Sequence, residues 1–591
     1  MELTLLDWLV ILAYLALAFA IGLAFRERAG RSLSEYFLSG RSLPWWIAGT
    51  SMVATTFAAD TPLAVTSLVA RHGLAGNWFW WAFALGGMIT VFVYARLWRR
   101  AEVLTDVELV ELRYGGKPAA FLRGFRALYI ALLVNAIIIG WVTGAMVTVL
   151  QQTVFAGQEA GSGANEWILI VVLLAVVGVY ATLSGLWGVA VTDFVQFILA
   201  MVGSIALAVI AVKHLGGMGA MRAEVAAAFP EGEEVFRFLP DFTAADPWMP
   251  LSIFFIMLFV QWWASWYPGA EPGGGGYVVQ RMASAKDERH SVLATLWFQI
   301  AHYCVRPWPW LIVAFAALAI YPELRTADDP GIGYPSVIRD LAPPGLRGLM
   351  LVAFFAAFMS TISTQMNWGA SYLVSDFYKR FVRPNADDRH LTRVSRAASV
   401  LVLVVGSVAA WFMRDTSVDE AWKFLAALGA GTGAVFMLRW FWWRINAWTE
   451  IVAMVASLVA FGVVSRFIEA NEYRLAVVAA FTIVAWIVAT YVTRPERRET
   501  LEAFYRKVRP AAYGWRPIAD SQPETQPDRH LGLSLVAALL AAGIVYLTLP
   551  TIGLFLFGEI GKAATTLAGA VVCALGVIAV LKRIGWEGVV R

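Results

Sequence analysis

Cysteine is nearly absent, with two in 591 residues. Both Cys304 and Cys573 fall inside apolar runs, which excludes a disulfide framework and a cysteine-based zinc site. Charge is scarce as well: Asp, Glu, Lys and Arg make up 15% of the chain against 59% apolar residues, and mean hydropathy is +0.66. A net charge of +4 implies no nucleic-acid partner. No HExxH or GxSxG motif occurs, and His302, the one histidine within an apolar run, has no cysteine or serine at catalytic-motif spacing. No enzyme chemistry is indicated.

What the chain has in abundance is long uncharged runs, each matching the roughly 20 residues that cross a bilayer. The pattern predicts an all-α polytopic membrane protein with about 15 spans. The first, 5–25, is too long and its flank too acidic (Glu2, Asp7) for a cleaved signal peptide, and reads as an anchor. Lys and Arg concentrate in the loops after odd-numbered spans, as in Arg26–Arg41, Arg96–Lys117, Arg281–Arg289, Lys379–Arg389 and Arg494–Arg529. By the positive-inside rule this puts the N-terminus outside and the C-terminus in the cytoplasm of a bacterial cell membrane.

Two apolar runs are broken. The first, from Trp45 to Ala70, is interrupted by Ala54-Thr55-Thr56-Phe57-Ala58-Ala59-Asp60-Thr61-Pro62, and the second, beginning near Pro250, breaks over 268–276 with four consecutive glycines. Backbone left unpaired at membrane depth is tolerated only where it lines an enclosed cavity. Paired breaks in two halves mark the binding site of a secondary transporter. The expected organisation is an extra span and loop (1–44), a first five-span repeat (45–213), a second inverted repeat (249–443) and accessory spans (444–591) that include a cytoplasmic loop, 494–531. That loop is rich in Pro and Arg and has room for a short surface helix.

Polar groups are few enough to follow one by one. In the ninth span Ser360, Ser363, Thr364 and Asn367 share a helical face, with Ala357 and Thr361 beside it. Hydroxyls and freed carbonyls suit sodium, although small polar residues also line plain helix contacts. Asp193 within the sixth span asks for a cation or a partner. Asp60, Thr61, Asn77, Glu271, His302 and Arg306 are the remaining polar groups expected mid-fold. They are accompanied by Trp78, Trp80, Trp81, Trp141, Trp262, Trp263, Trp266, Tyr267, Trp308 and Trp310, and aromatic faces with a few convergent polar groups suit a small polar solute. Arg306 is placed either to pair with Glu271 as a gate or to hold a carboxylated solute.

Five stretches resemble one family, the sodium:solute symporters. They are Glu35-Tyr36-Phe37-Leu38-Ser39-Gly40-Arg41 before Trp45-Trp46, Thr105–Gly115, Ser184-Gly185 with Thr192-Asp193-Phe194-Val195-Gln196, Tyr277-Val278-Val279-Gln280-Arg281, and Ala356–Tyr378. The resemblance implies a LeuT-type five-plus-five inverted repeat with flanking helices. It implies sodium-coupled import by alternating access, a monomer sufficing for transport. It places a shared sodium site at Ala54, Phe57, Ala357, Ser360 and Thr361, and a second sodium at Asp193, Ser360, Ser363 and Thr364. The sugar carriers' contact positions match Thr61, Asn77, Trp80 and His302, where Asn77, Thr61 and His302 replace an acid, an amide and a lysine; a further Gln position falls on Phe424. Asp60 and Glu271 join these as substrate-binding candidates, with Tyr267 and Arg306 as gate residues. A sugar or polyol is favoured over a monocarboxylate because aromatic faces stack on sugar rings and two acids would repel an anion. A membrane solute sensor is the non-transport alternative.

Overall fold

The computed structural model describes the chain apart from residues 1–2, 157–162, 231, 245–246, 266, 268, 414–420, 423–424, 426–428 and 586–591. Trp266 and Phe424 therefore lie outside the described residues. Among the described residues the protein is helical, with one isolated bridge between Leu43 and Ala285 and no strand.

Helix α1 is Leu5–Ala29. Helices α2 (Trp45–Thr56) and α3 (Thr61–His72) form a bent pair with 55° between their axes. The bend arises where Phe57 leaves helical geometry (φ −90°, ψ 69°), and α3 restarts with Pro62 in its first turn, where the missing N–H costs nothing. There follow α4 (Leu74–Ala101), α5 (Gly116–Gln152) and α6 (Gly163–His214). Helix α6 is interrupted at Gly185, whose φ of 56° and ψ of −173° no helix contains.

The second half opens with the short α7 (Leu251–Ala264), and α8 (Gly276–Ser284) begins at the end of the glycine run. The break depends on glycine. Gly269 has φ 84°, and a Cβ there would lie 2.2 Å from the Tyr277 hydroxyl; Gly276 has φ 55°, and its Cβ would lie 2.5 Å from Glu271 Oε1. Then come α9 (Glu288–Ile320), α10 (Leu346–Val382), α11 (Asp388–Phe412), α12 (Thr432–Leu438), α13 (Ala447–Val464) and α14 (Asn471–Val492). Beyond them lie α15 (Arg498–Val508), α16 (Leu531–Leu556) and α17 (Ile560–Ile584). Helix α10 packs along α6 and also meets α1, α2 and α5, which places it at the centre.

Among the described residues eleven helices are long and apolar enough to cross a bilayer, twelve if α2 and α3 form one span. The expected figure of about 15 differs for three visible reasons. Helix α6 is one helix in that count although broken at Gly185, α7 is too short to qualify, and the expected span 419–438 lies partly outside the described residues.

Candidate functional site

Both breaks face one cavity of about 60 Å³. Asp60, Thr61, Trp80, Tyr267, His302 and Arg306 all line it, together with Thr55, Thr56 and Thr361. The aromatic walls are Trp80, Phe83, Trp141, Tyr267, Tyr277, Tyr303 and Trp422. Tyr267 stacks on Phe83 with centroids 5.6 Å apart and meets the edge of Trp422 at 5.8 Å.

Two polar clusters stand in this wall. The Asp60 carboxylate accepts from Trp422 Nε1 at 2.9 Å and from its neighbour Thr61 at 3.4 Å. Arg306 donates through Nη1 to Thr56 Oγ1 (3.1 Å), through Nη2 to His302 Nε2 (3.2 Å) and through Nε to the His302 carbonyl (3.3 Å). A guanidinium carries only donors, so Nε2 of His302 must accept. The ring is then neutral, with its proton on Nδ1, which meets Thr56 Oγ1 at 3.1 Å.

Two of the expected solute residues lie elsewhere. Asn77 is fully buried behind Trp80, accepting from its indole at 2.9 Å and donating to the Leu74 carbonyl at 3.2 Å, so it can orient Trp80 but does not line the cavity. Glu271 also does not line it: Oε2 accepts from the Gly269 amide at 3.0 Å, and Oε1 is buried without a partner. The pairing of Arg306 with Glu271 is not formed, because Arg306 bonds to Thr56 and His302 instead. Of the other tryptophans, Trp78 donates to the Phe238 carbonyl and Trp310 packs on Phe57.

At the floor, α10 meets the end of α2. Thr361 Oγ1 lies 3.0 Å from the Thr55 carbonyl and 3.1 Å from that of Ala357. The Ala54 carbonyl accepts a 3.1 Å turn bond from the Phe57 amide, and Phe57 itself has left the helix. These carbonyls and hydroxyls are a donor set suited to a small hard cation.

Asp193 stands beside that set. It accepts from Ser360 (2.6 Å) and Ser51 (2.5 Å), and Arg281 approaches its second oxygen at 3.8 Å. Arg281 also donates to Thr364 Oγ1 at 2.7 Å, while Ser363 donates to the Ser360 carbonyl at 3.1 Å. A guanidinium thus meets both Asp193 and Thr364, two of the four expected second-sodium residues.

A profile of the Sodium:solute symporter family matches residues 36–460. The chain belongs to that family. Its relatives include a sodium/glucose cotransporter of Vibrio parahaemolyticus, 26% identical over 77% of this chain and 84% of that one. Also similar are a sodium/mannose cotransporter of Bos taurus (26%, covering 77% and 78%) and sodium/glucose cotransporter 4 of Danio rerio (24%, covering 77% and 71%). These relatives are sodium-coupled transporters, not enzymes. Among solved structures, a Na+-coupled sialic acid symporter in a substrate-bound outward-open state superposes with a TM-score of 0.67 at 21% identity, covering 84% of this chain and 99% of that one. The fold is therefore the all-α, LeuT-type arrangement of a multi-pass membrane symporter.

Against that family background, the cavity residues not named as site candidates from the sequence include Thr56, Phe83, Tyr277, Tyr303, Gln365 and Trp422. Two carried a readable signal. Gln365 is one helical turn beyond Thr361 in an apolar span, and Tyr277 directly follows the glycine run.

Proposed function

We propose that the protein is a sodium-coupled symporter that imports a small polyhydroxylated solute of sugar size by alternating access. Sodium is held by the carbonyls of Ala54, Phe57 and Ala357 and the hydroxyls of Ser360 and Thr361. The solute lies above it, against Asp60, Thr61, Trp80 and His302, with Tyr267 and Arg306 at the mouth. The chain works in the cell membrane with its N-terminus outside and its C-terminus in the cytoplasm. The observation that carries this reading is Thr361. Its hydroxyl reaches the end of the broken α2 and also lines the cavity, so an ion at this point fixes α2 against α10 at the wall the solute touches. An ion that holds one arrangement of these helices raises affinity for a solute that needs the same arrangement. The glucose and mannose relatives support a sugar-sized solute. Membership of the sodium:solute symporter family supports sodium as the driving ion.

The test is uptake of radiolabelled sugars, polyols and sugar acids into proteoliposomes under an inward sodium gradient, with potassium as control. Sodium-dependent accumulation is expected, and Ser360→Ala with Thr361→Ala abolishes it by removing two of the five oxygens. Accumulation by the double variant with undiminished sodium dependence would place the ion elsewhere.

A further inference from the structure

The guanidinium of Arg306 is 2% exposed and lines the solute cavity, yet every acceptor it meets is neutral: a carbonyl, a hydroxyl and an imidazole nitrogen. Of its five N–H groups three are engaged. One on each terminal nitrogen has no acceptor among the described residues, and no described carboxylate lies within ion-pair range of Arg306. A buried charge without a counter-ion is costly, by several kcal/mol as a rule, unless something arrives to compensate it. Arg306 is also held in place, since His302 and Thr56 fix its fork and the Trp310 ring lies 5.1 Å beneath it.

The charges around the cavity point the same way. Asp60 is the one carboxylate among its lining residues, Glu271 facing away, and its bonds come from two neutral donors. Neither of those bonds comes from Arg306, which keeps its free N–H groups for the solute. Asp60 and Thr61, on the opposite cluster, retain capacity to accept from hydroxyls, so the complementary solute is anionic at one end and hydroxylated at the other.

We propose that the solute is a hydroxylated monocarboxylate of the sugar-acid class, its carboxylate bound by the two free N–H groups of Arg306 and its hydroxyls directed to Asp60 and Thr61. This rests on the symporter reading and adds the charge of the cargo. Arg306 is then the specificity-determining residue, because a planar fork meets a carboxylate through two parallel bonds and neutral hydroxyls gain no such pairing.

The experiment compares acid and neutral partners of matched skeleton: glucuronate with glucose, galacturonate with galactose, gluconate with sorbitol and glycerate with glycerol. Binding to the purified full-length protein is read by thermal shift and calorimetry in NaCl and in KCl. At least one acid is expected to bind in NaCl while its neutral partner does not. Arg306→Gln is expected to weaken that binding on the order of a hundredfold, and Arg306→Lys to recover part of it. The stabilisation that sodium alone gives the Arg306→Gln protein reports that it is folded. Binding by neutral members only, by none of the acids, or acid binding unchanged in folded Arg306→Gln overturns the proposal. Sodium-driven accumulation of a neutral sugar in proteoliposomes would overturn it while leaving sodium symport standing; loss of sodium dependence for every solute would remove the symport reading instead.

Discussion

Asp193 and Arg281 are a residue-scale problem in charge. Their side chains are 1% and 0% exposed, and apart from each other they meet only neutral groups: Ser51, Ser360, Gln280 and Thr364. Removing one partner of such a pair strands the other, at a cost of roughly 3–5 kcal/mol, whereas replacing both by neutral groups costs much less. Asp193→Asn is therefore expected to lower the melting temperature of the purified protein sharply, and Asp193→Asn with Arg281→Gln to recover most of the loss. Because the guanidinium already stands among the residues expected to hold a second sodium, uptake by the unaltered protein is expected to show a sodium Hill coefficient near one. A coefficient near two would mean that a second ion displaces Arg281, and this assignment would fall.

At the scale of elements, the breaks carry the architecture, and they were the most readable part of the chain. Helix α6 spans 52 residues; a straight helix of that length would run about 78 Å, far beyond the roughly 30 Å of hydrocarbon in a bilayer. It must be interrupted, and Gly185 is where. A Cβ at Gly185 would meet the Ala29 side chain at 2.8 Å and the Tyr36 carbonyl at 3.2 Å, on a backbone with φ 56°. Gly185→Ala is thus expected to destabilise the fold by roughly 1–3 kcal/mol from strain and overpacking, read as a lower melting temperature; an unchanged melt would mean that the turn tolerates a side chain. Breaks are legible because glycine, proline and a lone acid stand out within an apolar run. Convergence is not. Trp422 and Tyr303 join the cavity through packing between segments far apart in sequence, and Asn77 leaves it because its amide turns back to its own helix turn, choices that no periodicity encodes. The hydroxyl stripe at 360–364 was visible as a face, but Arg281 reaching Thr364 across the bundle was not.

The whole molecule is tied together at the expected cytoplasmic end by the segment 494–531, which from sequence suggested only a surface helix. That helix is present as α15, but it buries Leu501, Phe504, Tyr505 and Val508. Beyond it Trp515 is fully buried, stacked on Phe504 at 5.4 Å and donating to the Trp440 carbonyl at 2.8 Å. Arg113 lies 4.7 Å over the Trp515 ring and donates to the carbonyls of Arg439, Trp442 and Trp443. On the other side, Asp528 pairs with Arg96 near the end of α4, and Glu496 accepts from the amides of Gly115 and Ala447. The segment therefore bridges the loop of the first set of spans to the last span of the second, as a strap rather than a free linker. Trp515 is its keystone, since it touches α15, Arg113 and Trp440 together. Trp515→Ala removes a fully buried indole, a change that costs about 3–5 kcal/mol in a packed core. The expected result is a lower melting temperature and rapid proteolysis within 494–531 under conditions where the unaltered protein resists. Protection equal to the unaltered protein would show that the ion pair of Arg96 with Asp528 and the caps by Glu496 hold the strap without the indole.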